Sequence, residues 1–202
     1  AIQLFNEPNI HHFRDYSPVS EDTTYGDEYA TLIASIVPAI KEVNPALQLT
    51  VNTGGWPLNE TLVTEWKSFF TSIAPHIDFI SLDMYPDDNQ TTIQQLDDWV
   101  QDFKNTFQKE VMISEIGLPT NAGRFTEADQ GNYLSQSIQI LQKAGVLGIL
   151  PYNYRDESRN PNTSEASFGI IHADGTPKES YISIMGALKP TGDEADQPQK
   201  MT

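Results

Sequence analysis

The chain has 202 residues, room for one domain with a sizeable core. Its 28 acidic and 12 basic residues leave a net charge of −16, which opposes binding to nucleic acid or to an anionic membrane surface and leaves neutral or cationic ligands open. There is no cysteine, so disulfides and thiolate metal sites are excluded, and no apolar run approaches the ~20 residues of a membrane span.

Ile2 to Phe5 reads as a short strand, followed by a polar loop and a helix from about Asp27 to Val43. In that helix Tyr29, Leu32, Ile33, Ile36, Val37, Ile40 and Val43 keep three-to-four spacing, and Pro38 is expected to interrupt or kink it. "LQLTVNTGG" is the next strand. A helix from about Glu60 to Ile73 follows, with Leu62, Trp66, Phe69, Phe70 and Ile73 on one face. "IDFISLDMYP" is a third strand, and a helix from about Thr92 to Phe107 shows Ile93, Leu96, Trp99, Val100, Phe103 and Phe107. Trp66 and Trp99 fall at core positions of their helices. "EVMISEIG" is a fourth strand. Thr126, with Asp129 at capping-box spacing, starts a helix that runs to Ala144, and Gly145 suits its end. "VLGILPYNY" is a fifth strand. "FGIIHADGTPKES" reads as an extended piece, a turn and the start of a last helix ending near Leu188. Residues 189–202 are polar, with two prolines, and read as a linker or tail.

Five strand-to-helix alternations imply parallel strands covered by helices. An open doubly wound sheet and a closed eight-stranded barrel both satisfy that pattern. "NTGGWP" has paired glycines but not the spacing of a phosphate-binding loop, so nucleotide binding has little support. A barrel spends roughly 30 residues on each strand-helix unit and about 250 in all. Five units fit this chain, and if it is a barrel about three more, on the order of 90 residues, would be missing from it.

Two strands end alike. "QLFNE" puts Glu7 just past an apolar run, and "VMISE" does the same for Glu115. Burying a lone carboxylate is costly. In parallel α/β folds the carboxyl ends of the strands form the functional face. Two glutamates there suit paired acid and base work, and glycoside hydrolysis needs such a pair. A helix cap, an ion pair or a rim charge would explain either glutamate alone.

"FNEPN" and, three strands later, "ISEIGLPT" resemble the clan A glycoside hydrolases, retaining enzymes on the eight-stranded barrel. In that clan the acid/base Glu follows an Asn at the end of strand four, and the nucleophile ends strand seven. The strands ending at Glu7 and Glu115 are first and fourth here, the same interval. "YNYRDE" through "FGIIHADGTPKESY" resembles the strand-eight region of the clan. The likeness covers about residues 2–188 and is nearest to cellulase-like and xylosidase-like families. It implies a (β/α)8 TIM barrel of which this chain supplies about strands 4 to 8. Residues 1–188 would be the C-terminal part of the catalytic domain and 189–202 a flexible polar tail. It implies hydrolysis of β-glycosidic bonds in a poly- or oligosaccharide by double displacement, with no cofactor and no metal. Glu7 would be acid/base and Glu115 nucleophile. Asn6 would hold the hydroxyl beside the attacked carbon, and Tyr85 would orient Glu115 and favour its ionised form. The negative neighbour would help keep Glu7 protonated.

Other residues qualify by position. Trp56, after the second strand, is placed to stack on a sugar ring. Tyr152 and Tyr154 alternate along the fifth strand and so share a face, where the clan commonly has Trp. Asp83 sits two residues before Tyr85 and shares its side of the strand. His11 or His12 is placed to contact substrate from the loop, and no carboxylate spacing beside them supports a metal. Arg155 and Asp156 suit either sugar hydroxyls or a loop ion pair. A second reading is a non-catalytic carbohydrate-binding or assembly fragment. Its first and last strands would keep open edges, so that it pairs with a missing half-barrel or with itself.

Overall fold

The computed structural model describes residues 1–10, 25–56, 58–85, 90–120, 124–157 and 163–188. The predicted tail, residues 189–202, lies outside the described residues. Strand β1 (Ile2–Gln3) runs parallel to β2 (Leu49–Thr50), with Ile2 opposite Leu49. Past Val51 the same stretch continues as β3 (Asn52–Thr53), which pairs in parallel with β4 (Ile80–Asp83). β4 pairs with β5 (Val111–Ile116), and β5 with β6 (Ile149–Pro151), both in parallel. Neighbouring strands therefore follow chain order throughout. A doubly wound sheet reverses its order at a switch point. This arc does not, and winds in one direction as a barrel does.

Each crossover carries helix: α1 (Tyr25–Val43), α2 (Glu60–Ile73), α3 (Gln90–Gln94) with α4 (Leu96–Phe107), and α5 (Glu127–Lys143), while α6 (Glu179–Ala187) follows β6. α1 packs on α2, α4 on α5, and α5 on α6, forming an outer layer. None is long and apolar enough to cross a membrane, among the described residues. α5 begins as its sequence dictates: Thr126 Oγ1 accepts from Asp129 N at 3.1 Å, and Asp129 Oδ2 accepts from Thr126 N at 2.8 Å. Gly145 closes it at φ +71. Asn59 caps α2 by accepting from Thr61 and Leu62 N–H, both at 3.0 Å.

Three local expectations change. Pro38 does not interrupt α1, which continues through it with the ring on the exposed side. The helix expected over 92–107 is two, parted at Gln95. The fifth strand stops at Pro151, short of the two tyrosines. The Tyr152–Asn153 peptide bond is cis.

The strand faces divide cleanly. Ile80, Leu82, Val111 and Ile113 are fully buried and join Trp66, Phe70, Val100 and Phe103 under the helices. Trp99 is buried there as well, as its spacing predicted. Alternate residues are polar: Asn52, Ser81, Asp83 and Ser114 share the opposite face. Asp83 accepts from Asn52 Nδ2 on β3 and from Ser114 Oγ on β5, at 2.6 Å for the serine. One carboxyl group thus ties three strands together. Beyond β6, Lys178 is buried and donates to Asp156 Oδ1 at 2.9 Å, Thr120 Oγ1 at 2.8 Å and the Ser167 carbonyl. Asp156 forms its ion pair with Lys178 rather than with Arg155, which donates to the Ala173 carbonyl and braces the loop.

Asp83 is fully buried, and burial first, then the charge of Glu115, pushes its carboxyl from 3.8 up to about 8. The fold therefore binds this proton more tightly than the unfolded chain. The stability it contributes is complete below the unfolded value and is lost as pH rises through about 8. Protonated Asp83 can accept from Asn52 and donate to Ser114 Oγ, and an asparagine makes the same two bonds. Urea unfolding of the native chain should weaken by more than about 1 kcal/mol between about pH 5 and about pH 8. Asp83→Asn should weaken less over that window; an equal or steeper fall in the variant would refute the neutral carboxyl.

Candidate active site

The carboxyl ends of the strands face a cleft of about 520 Å³. β1 runs out through Leu4 and Phe5 into Asn6 and Glu7, whose backbone turns at φ +43. Glu7 N–H donates to Asn52 Oδ1 at 2.7 Å, and Asn52 Nδ2 donates to Asn6 Oδ1 at 3.1 Å as well as to Asp83. Asn9 holds Gly54 at the end of β3 by both of its backbone groups, at 2.7 and 2.8 Å. On β5, Glu115 Oε2 accepts from the Tyr85 hydroxyl at 2.6 Å, and its carbonyl accepts from Met84 N–H at 2.9 Å.

The cleft brings together Asn6, Glu7, Trp56, Tyr85, Glu115 and Tyr152, all singled out from sequence. Asp83 does not line it and lies buried beneath. Tyr154 does not line it either; its side chain is 69% exposed. Strict alternation ends with β6 at Pro151, so the two tyrosines part company. His11 and His12 lie outside the described residues. Tyr85, Tyr152 and Phe168 form an edge-to-face cluster with centroids 5.4 to 6.3 Å apart. Gly117 permits it, because a Cβ there would overlap the Tyr152 carbonyl and come within 2.8 Å of Phe168. Trp56 is 60% exposed, with the Arg124 guanidinium 5.7 Å from its ring centre and 4.9 Å from that of Phe125.

Several of these residues escaped the sequence reading. Asn52 left a signal, a polar residue inside the apolar run of "LQLTVNTGG". Glu165, Arg124, Phe125 and Phe168 lie in loops or turns whose course no periodicity announces. Glu165, in a short 3-10 turn (Glu165–Ser167), adds a third carboxylate to the cleft.

The two strand-end glutamates differ in environment. Burial, then Glu115, then Glu165 push the Glu7 carboxyl up from 4.5 to about 7. Burial also raises Glu115, and Glu165 adds to this, but the Tyr85 hydrogen bond pulls the other way. Burial and Glu115 push the Tyr85 phenol far up, so it stays a donor. Near neutral pH the arrangement can hold one carboxyl protonated and offer the other as an anion. Among the described residues, no group of three His, Cys, Asp or Glu side chains is placed to hold a metal ion.

The family described as glycosyl hydrolase catalytic core matches residues 1–180. No curated protein matches the chain in sequence. Among solved structures, a family 39 glycoside hydrolase from Bacteroides cellulosilyticus WH2 superposes with a TM-score of 0.62 at 19% identity, over 91% of this chain and 40% of that one. A pair of fungal β-1,4-galactanases gives 0.65 at 16% identity, over 89% of this chain and 59% of the galactanase chain. A hyperthermophilic β-glucosidase gives 0.65 at 16% identity, over 89% and 54%. The chain thus spans about 40 to 59% of the length of these structures, which share its fold. With its strands in barrel order and the family match over nearly its whole length, the chain belongs to the glycosyl hydrolase catalytic core family, and its strands form an arc of a (β/α)8 barrel.

Proposed function

We propose that the protein is a retaining glycosidase acting on β-linked sugars through Glu7 and Glu115. One observation carries the reading: two glutamates from non-adjacent strands face one cleft, and their surroundings treat them differently. The β-configuration rests on the similar folds, a β-1,4-galactanase and a β-glucosidase among them.

Glu7, protonated, gives its proton to the glycosidic oxygen as the bond to the anomeric carbon breaks. A Glu115 oxygen bonds to that carbon and the alcohol departs. Glu7, now an anion, takes a proton from water; the hydroxide portion bonds to the anomeric carbon and Glu115 leaves as carboxylate. Two inversions restore the starting configuration. Asn6, at the mouth beside Glu7, is suited to the hydroxyl next to the attacked carbon, and Trp56 and Tyr152 to the apolar faces of sugar rings. Three carboxylates against one described cation, Arg124, favour a neutral glycan.

β1 and β6 have no strand on their outer edges among the described residues, and Ile2 and Leu150 there are 46% and 51% exposed. A barrel has no edges. Closing this arc takes further strands, supplied by a half-barrel or by self-association, and complete subsites depend on that closure.

Proton NMR of the first product should show the β anomer, and an α product would sink the double displacement. Glu115→Gln should abolish turnover of aryl β-glycosides. Glu7→Gln should lose about 10²- to 10⁴-fold on alkyl glycosides, read as kcat/KM.

The pH profile follows from the two carboxyls. Activity needs Glu7 protonated, so kcat/KM should fall as pH rises through about 7. It needs Glu115 ionised, so the acid limb should lie above the ordinary carboxylate value of 4.5. Tyr85→Phe removes the bond that favours the Glu115 anion and should move the acid limb to higher pH. Glu165→Gln removes a negative neighbour and should move the alkaline limb to lower pH. Limbs that stay fixed in both variants would contradict these assignments.

A further inference from the structure

We propose that Asn9 and Gly54 are a positioning pair that holds Glu7 over the bare backbone of Gly54, aimed into the cleft. The inference rests on the reading of Glu7 as acid/base and adds two residues to it.

Gly54 does not have the positive φ that commonly calls for glycine, and its neighbour Gly55 does, at φ +136. Its need is space. A Cβ on Gly54 would overlap Oε1 and Cδ of Glu7 and come within 2.5 Å of its Cγ. The Glu7 carboxylate therefore occupies the volume that any side chain at position 54 would fill. Gly54 itself is fixed from the core. Its carbonyl accepts from the indole N–H of fully buried Trp66 at 3.0 Å. Asn9 reads the same peptide from the other side: its Nδ2 donates to the Gly54 carbonyl at 2.7 Å, and its Oδ1 accepts from Gly54 N–H at 2.8 Å. A primary amide spanning both groups of one residue fixes distance and orientation together.

Between the two lies the strained link. Glu7 adopts φ +43, a conformation a glutamate keeps only when its surroundings impose it. Asn9, two residues on, and Asn52, accepting from Glu7 N–H at 2.7 Å, impose it from both sides. The order of support runs from core to site: Trp66 sets Gly54, Gly54 sets Asn9, and Asn9 sets the turn that carries Glu7.

The charged and titratable groups around Glu7 are Glu115 on β5, Asp83 on β4, Tyr85 just beyond β4, Glu165 in its 3-10 turn, and Arg124 across the same cleft. None of them is touched by a change at Asn9 or Gly54, so a titration of Glu7 reports its own position.

The test is carbon NMR of glutamate labelled at its carboxyl carbon, with Glu7 assigned from the signal lost in Glu7→Gln. In Gly54→Ala the carboxylate must leave its seat for the wetter cleft. Its midpoint should drop from about 7 by about one pH unit or more. An unmoved midpoint in folded Gly54→Ala overturns the pairing. If that variant does not fold, Asn9→Ala, which removes only the two hydrogen bonds, is held to the same criterion. Kinetics separates positioning from general damage. The variants should lose about 10²-fold in kcat/KM on alkyl β-glycosides, which need the proton, and less than about 3-fold on dinitrophenyl β-glycosides, which do not. An equal loss on both classes overturns the proposal. A shifted midpoint in a chain that hydrolyses no glycoside even with its barrel closed would uphold the pairing and refute the glycosidase reading. Hydrolysis with unchanged midpoint and unchanged selectivity would do the reverse.

Discussion

Carboxyl groups crowd the ends of these strands, and they cannot all be ionised. Glu7, Asp83 and Glu115 come from three strands of one arc, and Glu165 adds a fourth charge from a neighbouring turn. At an effective dielectric of about 20, two unit charges ~4 Å apart repel by about 4 kcal/mol. The structure answers by dividing the protons. Asp83, sealed beneath the cleft, is held neutral between Asn52 and Ser114. Glu7, half-buried, keeps its proton to about 7. Glu115 receives a hydroxyl donor from Tyr85 and carries the negative charge. Local environments, rather than residue types, make three similar acids different.

Asn52 is the hub through which this division is kept in register. Its amide spans Asn6, the Glu7 backbone and Asp83, so the loop after β1 and the interior of β4 share one side chain. The outer faces of the same strands are apolar and bear the helices. The fold therefore separates its two tasks by the alternation of the strand: on each strand one set of alternate residues builds the core and the other builds the floor of the cleft. The glycines complete the arrangement at the seams. Gly54 and Gly117 let a carboxylate or an aromatic ring approach the backbone where two strand-end loops meet.

Much of this was legible in the sequence. Five strand-helix alternations gave the parallel sheet, and apolar runs ending in glutamate gave Glu7 and Glu115, because the physics of burial makes a strand-end carboxylate conspicuous. Tyr85 was legible from its place at the end of the third strand together with the family resemblance. What escaped depends on long-range geometry. Glu165 and Arg124 reach the cleft from loop and turn positions that no period locates. Tyr152 lines the cleft and Tyr154 does not, because strict alternation does not extend beyond the last ladder pair, at Pro151. Asp83 was read as a cleft residue, since sequence gives the side of a strand but not the depth. The helix over 92–107 parts at Gln95, a break that its unbroken apolar spacing concealed.

The asymmetry between the two glutamates has a structural origin that the strand positions alone do not explain. Both end apolar runs and both border the same cleft. Glu115 extends from six-residue β5, the longest strand among the described residues, flanked by β4 and β6, and its backbone carbonyl is fixed by Met84 N–H. A side chain on so rigid a base can meet a phenol at 2.6 Å and keep that partner. Glu7 stands on a turn past two-residue β1, and no described side chain hydrogen-bonds its carboxylate. On the proposed reading, in which Glu7 first gives a proton and later takes one, no described side chain favours one protonation state over the other by hydrogen-bonding the carboxyl. The turn has no ladder to hold it, and its order has to come from side chains reaching across from β3. On the proposed reading, rigidity in the strand suits a nucleophile that attacks along one line, and a braced turn suits an acid/base that changes its charge.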